Sequence, residues 1–277
     1  MPPVFISDLD GTLLRPDATL SPFARETLTH LLGEGLLFTV ASARSHVSIR
    51  QILGDLPLTL PVIENNGAYL TNLRTGEHLH TCHMPPEVVE DVFDLGDARS
   101  LRPVASTTDG LTDHLLCQEV TNAGMDWYVA GRIHFQDERL RVVPDVRASL
   151  RGDVTMLTFI DRLEALAPLN ELIRARFDGR VMMHFYENPY SPGWHWLTVQ
   201  DGSVSKGEAL RVLAEHAGFA LEDVVAFGDA ENDLAMFKVA GHAVATTGAV
   251  EATLAAADEI IGSCAEDAVV RWILAAL

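Results

Sequence analysis

Short apolar runs that end at a polar turn recur near both ends of the chain, and they constrain its fold more than any other feature. The first run, Val4–Ser7, is partly β-branched and precedes a turn that contains glycine. Such a run is typical of a strand buried on both faces of a sheet. Similar runs occur at Leu36–Ala41, Val62–Ile63, Val224–Gly228 and His242–Thr246.

Helical patterns follow these runs. Ser21 and Pro22 supply an N-cap and a first-turn proline, and apolar residues then recur at helical spacing as far as Gly33. Further helices are predicted at about 45–53, 206–216 and 232–237. Strands that alternate with helices indicate an α/β fold with a doubly wound (Rossmann-like) parallel sheet.

This alternation is interrupted between residues 82 and 199. A helical pattern near Pro86–Leu95 gives way to β-rich runs such as Val154–Ile160 and to the polar and aromatic stretch HFYENPYSPGWHW. A chain of 277 residues also favours two domains. We therefore predict a core domain formed by residues 1–81 and 200–277, with a second α/β domain inserted at residues 82–199.

The chain is strongly acidic. Its 39 Asp and Glu residues against 20 Lys and Arg residues give a formal charge of -19, which would repel the backbone of a nucleic acid. No stretch reaches the ~18 uncharged apolar residues of a membrane span, and the N-terminal segment lacks the basic and apolar regions of a signal peptide. We therefore expect a cytoplasmic protein, a monomer or small homo-oligomer, that binds neither nucleic acid nor membranes.

Polar side chains follow three of the predicted strands. Asp8 and Asp10 come after the first strand, Ser42 after the second, and Asp229 after a later one. In an open α/β sheet, ligands bind in the crevice beyond the carboxyl ends of the strands. The sequence therefore predicts that these groups meet in one crevice, where Lys206 would reach them from the start of its helix.

A cluster of carboxylates needs a cation, because like charges repel and an unpaired buried charge is costly. Oxygen ligands alone suit Mg²⁺, which commonly takes one or two carboxylates together with a substrate phosphate. Lys206 is one of only two lysines in a chain rich in arginine, and its compact charge suits phosphate oxygens. Taken singly, each residue has a simpler interpretation: Asp229 is equally explained as a helix N-cap, Ser42 as a turn residue and Lys206 as a surface charge. Their joint placement favours a magnesium and phosphate site.

Four segments, in order, resemble the signature motifs of one family. They are FISDLDGTLL (residues 5–14), FTVASAR (38–44), VSKGEAL (204–210) and FGDAENDLAMF (227–237), and the segment ENNGAYL is also similar. On these motifs the chain resembles the haloacid dehalogenase-like phosphohydrolases, and within them the Cof-type sugar-phosphatase branch, and the insertion is similar to a type II cap. One departure is Ser-Ala-Arg at 42–44, where the family usually has Thr-Gly-Arg, and Ala43 restricts the backbone relative to glycine.

The resemblance implies roles for the residues of these motifs. Asp8 would be the nucleophile that forms an aspartyl-phosphate, and Asp10 the general acid and then the general base, with its side chain free to carry the proton. Residues i and i+2 of an extended segment share a face, so both carboxylates are expected on one side and Leu9 on the other. The implied metal ligands are Asp8, Asp10 through its carbonyl, and Asp229, with Asp233 acting through a water molecule or without direct contact with the metal. The implied phosphate ligands are the Leu9 amide, Ser42, Ala43, Lys206 and Asn232.

The resemblance also implies that the inserted cap closes over the site and reads the rest of the substrate. Candidates for substrate contacts in the cap are Glu187, Asn188 and His195. A purely structural role is the alternative for each of them. Arg44 would reach a second anionic group of the substrate or pair with a surface carboxylate.

The motifs therefore predict an enzyme, a phosphoric monoester hydrolase. Its expected activity is the magnesium-dependent hydrolysis of small phosphorylated metabolites, with sugar phosphates favoured, through an aspartyl-phosphate. A phosphomutase of hexose phosphates would use the same intermediate, and the sequence does not separate the two. A receiver-like phosphate-binding module also places acidic groups and a lysine at sheet ends, but the large insertion and the second aspartate of the DxDGT motif argue against it.

Overall fold

The chain divides into two compact units. The computed structural model describes residues 2–54, 56–110, 112–188 and 190–277. One unit consists of Met1–Thr81 and Val204–Leu277, and the other of Cys82–Ser203. The break predicted at residue 200 falls inside a strand, His195–Asp201, and the first unit resumes only at Val204.

Both units contain strands and helices. In chain order the strands are β1 (Val4–Ser7), β2 (Leu37–Val40), β3 (Val62–Glu64), β4 (Tyr69–Thr71), β5 (His78–Thr81), β6 (Val104–Thr108), β7 (Asp113–Cys117), β8 (Leu140–Val142), β9 (Asp153–Asp161), β10 (Val181–Glu187), β11 (His195–Asp201), β12 (Val224–Gly228), β13 (His242–Thr246) and β14 (Glu259–Ile261). The helices are α1 (Pro22–Gly33), α2 (His46–Leu53), α3 (Pro86–Asp97), α4 (Ala123–His134), α5 (Val146–Ser149), α6 (Leu163–Phe177), α7 (Lys206–Ala217), α8 (Leu234–Phe237), α9 (Glu251–Ala256) and α10 (Ala268–Ala276).

The first unit is built on a parallel sheet with the strand order β14-β13-β12-β1-β2, which confirms the predicted fold class. β1 lies between β12 and β2, where Ser7 is paired with Phe227 on one side and Val40 on the other. Its side chains enter two separate cores, because Phe5 belongs to the cluster formed with α1 and α2 and Ile6 to the cluster formed with α7. Burial on both faces accounts for the unbroken apolar run. The carboxyl ends of β1, β2 and β12 therefore lie at one edge of the sheet.

The third apolar run does not extend the parallel sheet as a full strand. β3 pairs antiparallel with β4, which pairs antiparallel with β5. Its parallel contact with the rest of the sheet is a single bridge between Ala41 and Ile63. The reason is the turn Asn65–Gly67, whose residues all have positive φ and which reverses the chain directly after β3.

The second unit contains a six-stranded sheet in the order β10-β11-β9-β6-β7-β8. Its neighbours are antiparallel except for β7 and β8. Residues of α3 and α6 pack with Leu157 and Phe159 on one face, and Met125 of α4 packs with Trp196 on the other. Among the described helices of both units, none is long and apolar enough to cross a membrane.

Candidate active site

The loop after β1 gives its two aspartates different surroundings. The Asp8 N–H donates to a carbonyl of β12 at 2.9 Å, which extends the sheet by one residue, and the Asp8 side chain is buried. The residues after Asp8 form an irregular turn, in which Asp10 has a φ of −72° and a ψ of 126° and Gly11 has a φ of +78°. The two carboxylates have different partners, Lys206 for Asp8 and Arg44 for Asp10. The shared side expected for them stays a prediction.

Lys206 is the first residue of α7, where the Ser205 hydroxyl caps the helix by accepting the Glu208 N–H at 3.1 Å. The lysine side chain is fully buried, and Nζ donates to Asp8 Oδ1 at 2.7 Å and to Asp233 Oδ1 at 2.6 Å. Burial alone would lower the pKa of this ammonium, but the carboxylates of Asp233 and Asp8 outweigh that effect and raise it. Lys206 is therefore not the solvated surface charge of the simpler interpretation.

The loop after β12 holds two further carboxylates. Asp233 is fully buried, and its Oδ2 accepts the N–H groups of Asp229 and Ala230 at 2.9 and 3.0 Å. The capping role considered for Asp229 thus belongs to Asp233, while the Asp229 carboxylate accepts a hydrogen bond from the Thr12 hydroxyl at 2.7 Å. Gly11 has a φ of +78°, and a Cβ there would lie 2.2 Å from Asp229 Oδ2. Only glycine fits this position.

Oxygens of Asp8, Asp229 and Asp233 lie within 4.8 Å of one another. Among the described residues, Lys206 is the one cation paired with these carboxylates, so three ionised carboxylates would outnumber it by two negative charges. Burial raises the pKa of Asp8 well above its ordinary value despite the opposing charge of Lys206, and burial raises the pKa of Asp229 to about 6. An oxygen-only donor set with a deficit of two positive charges fits a divalent cation such as Mg²⁺.

Ser42 and Ala43 form the loop after β2. Ser42 is buried, its N–H donates to the Ile63 carbonyl at 2.9 Å, and its Oγ accepts the Arg44 N–H at 3.1 Å. Among the described residues, the Ser42 hydroxyl donates to no acceptor, which leaves its proton for a ligand. Ala43 is exposed and is not among the residues with positive φ. Alanine in place of the family's usual glycine therefore puts no strain on this loop.

Arg44 binds the side chain of Asp10 with two guanidinium nitrogens. Nε donates to Asp10 Oδ2 at 2.7 Å and Nη2 donates to Oδ1 at 2.6 Å. Of the two partners predicted for Arg44, the structure gives the carboxylate, but this carboxylate is the one assigned to acid–base chemistry. The sequence predicted an Asp10 side chain that carries a proton and does not bind the metal, and it did not identify this arginine as its partner. The arginine that ends the FTVASAR segment was the signal for this pair, and a sequence does not say which carboxylate an arginine meets.

Asn232 lies between the acidic loop and a second turn of the first unit. Its Nδ2 donates to Asn66 Oδ1 at 2.9 Å, and among the described residues its buried Oδ1 accepts no hydrogen bond. Asn66 has a φ of +60° and donates its own N–H to the Ser42 carbonyl at 2.9 Å. The segment that contains Asn66 is similar to a family segment, but the sequence did not predict this contact with Asn232.

The three candidates from the second unit lie around the turn that joins β10 to β11. Glu187 accepts the Gly193 N–H at 2.6 Å, and Asn188 Oδ1 accepts the Tyr190 N–H at 2.9 Å. His195 opens β11 opposite Glu187, and its ring lies 5.7 Å from that of Phe185. The contacts of Glu187 and Asn188 stabilise the turn itself. This is the structural role that was the alternative to a substrate contact. Their substrate contacts stay predictions.

The sequence matches known proteins over nearly its whole length. A family model described as haloacid dehalogenase-like hydrolase matches residues 5–273. The 5-amino-6-(5-phospho-D-ribitylamino)uracil phosphatase YitU of Bacillus subtilis (strain 168) is 25% identical over 270 residues, which cover 96% of this chain and 94% of that protein. The HMP-PP phosphatase of Serratia proteamaculans (strain 568) is 27% identical over 269 residues, which cover 96% of this chain and 92% of that protein.

Solved structures resemble the chain just as completely. The X-ray structure of TM0651 from Thermotoga maritima has a TM-score of 0.81 at 29% sequence identity, covering 100% of this chain and 98% of that one. A haloacid dehalogenase-like hydrolase from Bacteroides thetaiotaomicron has a TM-score of 0.80 at 25% identity, with 100% of both chains covered. Sequence and fold thus point to the same group of proteins.

Proposed function

The chain belongs to the haloacid dehalogenase-like hydrolases, as its motifs predicted, and on this premise we propose that it is a magnesium-dependent phosphatase of small phosphorylated metabolites, sugar phosphates among them. Two relatives that align with more than nine tenths of the chain are named as phosphatases of small phosphorylated compounds. The reaction proceeds through an aspartyl-phosphate at Asp8.

One observation carries this proposal: a buried ammonium stands between two buried carboxylates at the carboxyl edge of a parallel sheet. Lys206 Nζ lies 2.7 Å from Asp8 and 2.6 Å from Asp233, and Asp229 lies beside them. Burying Asp8 and Asp233, with the half-buried Asp229 beside them, around one lysine is costly unless a ligand uses them. A divalent cation would supply the missing positive charge, and a phosphate group would accept hydrogen bonds from the Lys206 ammonium and the Ser42 hydroxyl.

In the first half of the reaction, Asp8 attacks the phosphorus. A carboxylate oxygen forms a bond to phosphorus while the bond between phosphorus and the leaving-group oxygen breaks. Asp10 gives its proton to that oxygen, so the product leaves as an alcohol. The Lys206 ammonium, the Ser42 hydroxyl and the backbone amides of Leu9 and Ala43 bind the phosphoryl oxygens, on which negative charge is spread.

In the second half, Asp10 acts as the base. It takes a proton from a water molecule as the water oxygen attacks phosphorus, and the bond between phosphorus and Asp8 breaks to return the carboxylate and release phosphate. Asp10 ends the cycle protonated, as it began. The two hydrogen bonds from Arg44 stabilise the ionised Asp10 that exists between the two halves. Arg44 is thus a positioning residue for Asp10.

The side chains of Asp8, Asp229 and Asp233 and the Asp10 carbonyl would hold the magnesium ion. When bound, the ion offsets the repulsion between the Asp8 carboxylate and the negative phosphate. The fit rests on the charge deficit of the acidic cluster and on Gly11, where any side chain would displace Asp229. Asn232 lies in the loop after β12 that also holds Asp229 and Asp233, and its side chain is hydrogen-bonded to Asn66. It would be a further phosphate ligand.

A phosphate-release panel tests the proposal. Sugar phosphates, nucleotides and cofactor phosphates are incubated with the wild type, with and without Mg²⁺, and beside them with Asp8→Asn. We expect release that requires Mg²⁺ and that Asp8→Asn abolishes. Asp17→Asn is the matched control, because Asp17 is an exposed carboxylate of the same segment whose side chain accepts from Thr19. No release from any substrate, or full activity in Asp8→Asn, overturns the proposal. Isomerisation of a hexose phosphate without release would assign the chain to mutase chemistry.

The role of Asp10 has its own test. Asp10→Asn should slow phosphate release by roughly 10²- to 10⁴-fold, the usual scale for a lost general acid and base. A leaving group that needs no protonation, such as p-nitrophenol, should lose less of its rate in this variant than an alkyl phosphate does. An unchanged rate with alkyl phosphates would remove Asp10 from this role.

A further inference from the structure

Glu64, the last residue of β3, is a fully buried carboxylate that the proposed chemistry does not use. Its Oε2 accepts the backbone N–H of His46, and the His46 ring nitrogen Nδ1 lies 3.1 Å from both of its oxygens. Its Oε1 also accepts the Thr71 hydroxyl at 2.5 Å. In contrast to the acidic cluster of Asp8, Asp229 and Asp233, the protein itself supplies this carboxylate with several donors.

The protons of this group can be assigned from its geometry. Thr71 has one hydroxyl proton, and the short contact to the Glu64 carboxylate takes it. The second contact of Thr71 Oγ1, 2.8 Å to Nδ1 of His78, therefore needs a proton on that histidine nitrogen. His78 donates to Thr71 and Thr71 donates to Glu64, which makes the carboxylate the acceptor at the end of a chain of hydrogen bonds.

Glu64 performs the capping role at the start of α2. The helix begins at His46, and the N-cap residue Ser45 makes no capping bond with its side chain. The Glu64 carboxylate accepts the first N–H of the helix instead, and a negative charge is favourable at that end of a helix. Arg44 is only two residues before His46, so the carboxylate that fixes this helix start also fixes the segment that carries Arg44.

The residues after Glu64 are bonded to the same segment. The Asn65 N–H donates to the Arg44 carbonyl at 3.0 Å, and the Asn66 N–H donates to the Ser42 carbonyl at 2.9 Å. Asn65 and Asn66 have φ values of +49° and +60°, which are costly for residues other than glycine and persist only where surrounding contacts enforce them. Glu64 anchors this turn at its N-terminal side.

We propose that Glu64 is a positioning residue for the reaction: by fixing the start of α2 and the turn after β3, it sets the place of Arg44 and, through Arg44, of the Asp10 carboxylate. This inference rests on the proposed function for its kinetic consequence. Its structural content, the dependence of the Arg44–Asp10 pair on Glu64, is independent of that function. The chain of contacts is continuous, from Glu64 to the Ser42–His46 loop and from Arg44 Nε and Nη2 to both Asp10 oxygens.

Glu64→Gln keeps the shape of the side chain but turns one acceptor oxygen into an NH₂ group that faces donors. We expect kcat to fall by roughly 10- to 100-fold, since a displacement of about 1 Å at a catalytic group has costs up to that size. The matched control is Arg25→Met. Arg25 donates to the carbonyls of Ile52 and Leu53 at the opposite end of α2, so its loss loosens the same helix away from Arg44. The control should keep kcat within twofold.

A double-variant cycle separates positioning from general damage. Arg44→Met removes the group through which Glu64 acts, so Glu64→Gln added to Arg44→Met should lower kcat by less than twofold further. Multiplicative losses in the double variant would overturn the proposal. So would a wild-type kcat in Glu64→Gln, or an equal loss of kcat in Arg25→Met. If Glu64→Gln does not fold, Thr71→Val removes one donor to the carboxylate and should show the same pattern with a smaller loss.

A spectroscopic measurement tests, without any enzyme assay, whether the contact between Arg44 and Asp10 depends on Glu64. The Nε–H of Arg44 donates to Asp10, and its resonance in a ¹H–¹⁵N spectrum should be shifted and slow to exchange in the wild type and in Arg25→Met. In Glu64→Gln it should exchange faster by at least tenfold. An unchanged resonance overturns the inference even if the protein is a phosphatase. A changed resonance in a protein without phosphatase activity supports the inference and overturns the proposed function instead.

Discussion

The first unit contains a cluster of three carboxylates, those of Asp8, Asp229 and Asp233, and one separate buried carboxylate, Glu64, and the two places differ in how far the protein supplies them with positive charge and hydrogen-bond donors. Around Asp8, three carboxylates share the ammonium of Lys206, and burial raises the pKa of both Asp8 and Asp229. Around Glu64, burial would likewise raise the pKa, but the hydrogen bonds and charge of His46, with the Thr71 hydroxyl, together lower it. The cluster around Asp8 therefore has too little positive charge, whereas Glu64 receives enough hydrogen bonds and positive charge from the protein. This difference in charge is why the proposed metal site is assigned to the cluster around Asp8 and not to Glu64.

The largest expected effect concerns Lys206. Lys206→Met leaves Asp8 and Asp233 buried without their ammonium, so we expect a loss of about 3–5 kcal/mol in the free energy of unfolding, together with loss of phosphate release. Urea unfolding of metal-free protein at pH 7 measures the first effect. Lys238→Met is the matched control, because Lys238 is the other lysine of the chain and is exposed, and it should change stability by less than about 0.5 kcal/mol. Similar unfolding midpoints for both variants would contradict the account of the acidic cluster.

Magnesium should stabilise the folded protein through the cluster of Asp8, Asp229 and Asp233 and not through Glu64. At a concentration one hundredfold above its dissociation constant, Mg²⁺ should raise the free energy of unfolding by about 2.7 kcal/mol. Thermal unfolding with MgCl₂, compared with NaCl of the same ionic strength, measures the shift. Glu64→Gln should respond as the wild type does, whereas Asp229→Asn should respond much less. A wild-type response in Asp229→Asn would remove that residue from the metal site.

Glu64→Gln should lower the free energy of unfolding by about 1–3 kcal/mol at pH 7, because it leaves buried donors without their acceptor. The pKa of Glu64 is lowered from its ordinary 4.5 in the folded protein. The ionised group therefore stabilises the fold above about pH 4.5, and this contribution is lost as the pH falls through the folded pKa. Urea unfolding at several pH values should show the wild type and the variant converging in acid. A difference that is independent of pH would show that charge is not involved.

The smallest expected effect is a gain in stability, and it concerns Asp229. The pKa of Asp229 is raised from 3.8 to about 6, so its contribution to stability is fully present below pH 3.8 and is lost as the pH rises through about 6. In metal-free protein at pH 7, Asp229→Asn should therefore raise the free energy of unfolding, by about 1 kcal/mol after allowance for solvent screening. The gain should vanish near pH 4. A less stable variant at pH 7 would show that the Asp229 charge is already compensated.

The sequence predicted the parallel sheet and the residues at its carboxyl edge, because both follow from local pattern. The unbroken apolar run of β1 requires burial on both faces, and Asp8, Asp229 and Lys206 stand where strands end or helices begin. These positions are set by secondary structure and by the rule that parallel strands end at one edge.

What the sequence did not give were the pairings between side chains. Arg44 meets Asp10, which is 34 residues earlier in the chain. Glu64 accepts hydrogen bonds from His46 and Thr71, and the local sequence pattern of β3 does not predict a buried charge. The polar residues of HFYENPYSPGWHW suggested ligand contacts, yet Glu187 and Asn188 bond within their own turn. Such partners depend on how elements pack, and propensity and periodicity carry no information about that.

The strand order of the first unit also fixes when the site can exist during synthesis. Its sheet runs β14-β13-β12-β1-β2, and three of these strands come after residue 203. Asp8 and Lys206 are 198 residues apart in the chain, so a ribosome releases all strands of the inserted unit before the lysine emerges. Until then Asp8 has neither its neighbouring strand β12 nor its ammonium. A chain that stops before residue 206 thus contains Asp8 without these partners, and the acidic site can form only after Lys206 and β12 have been translated.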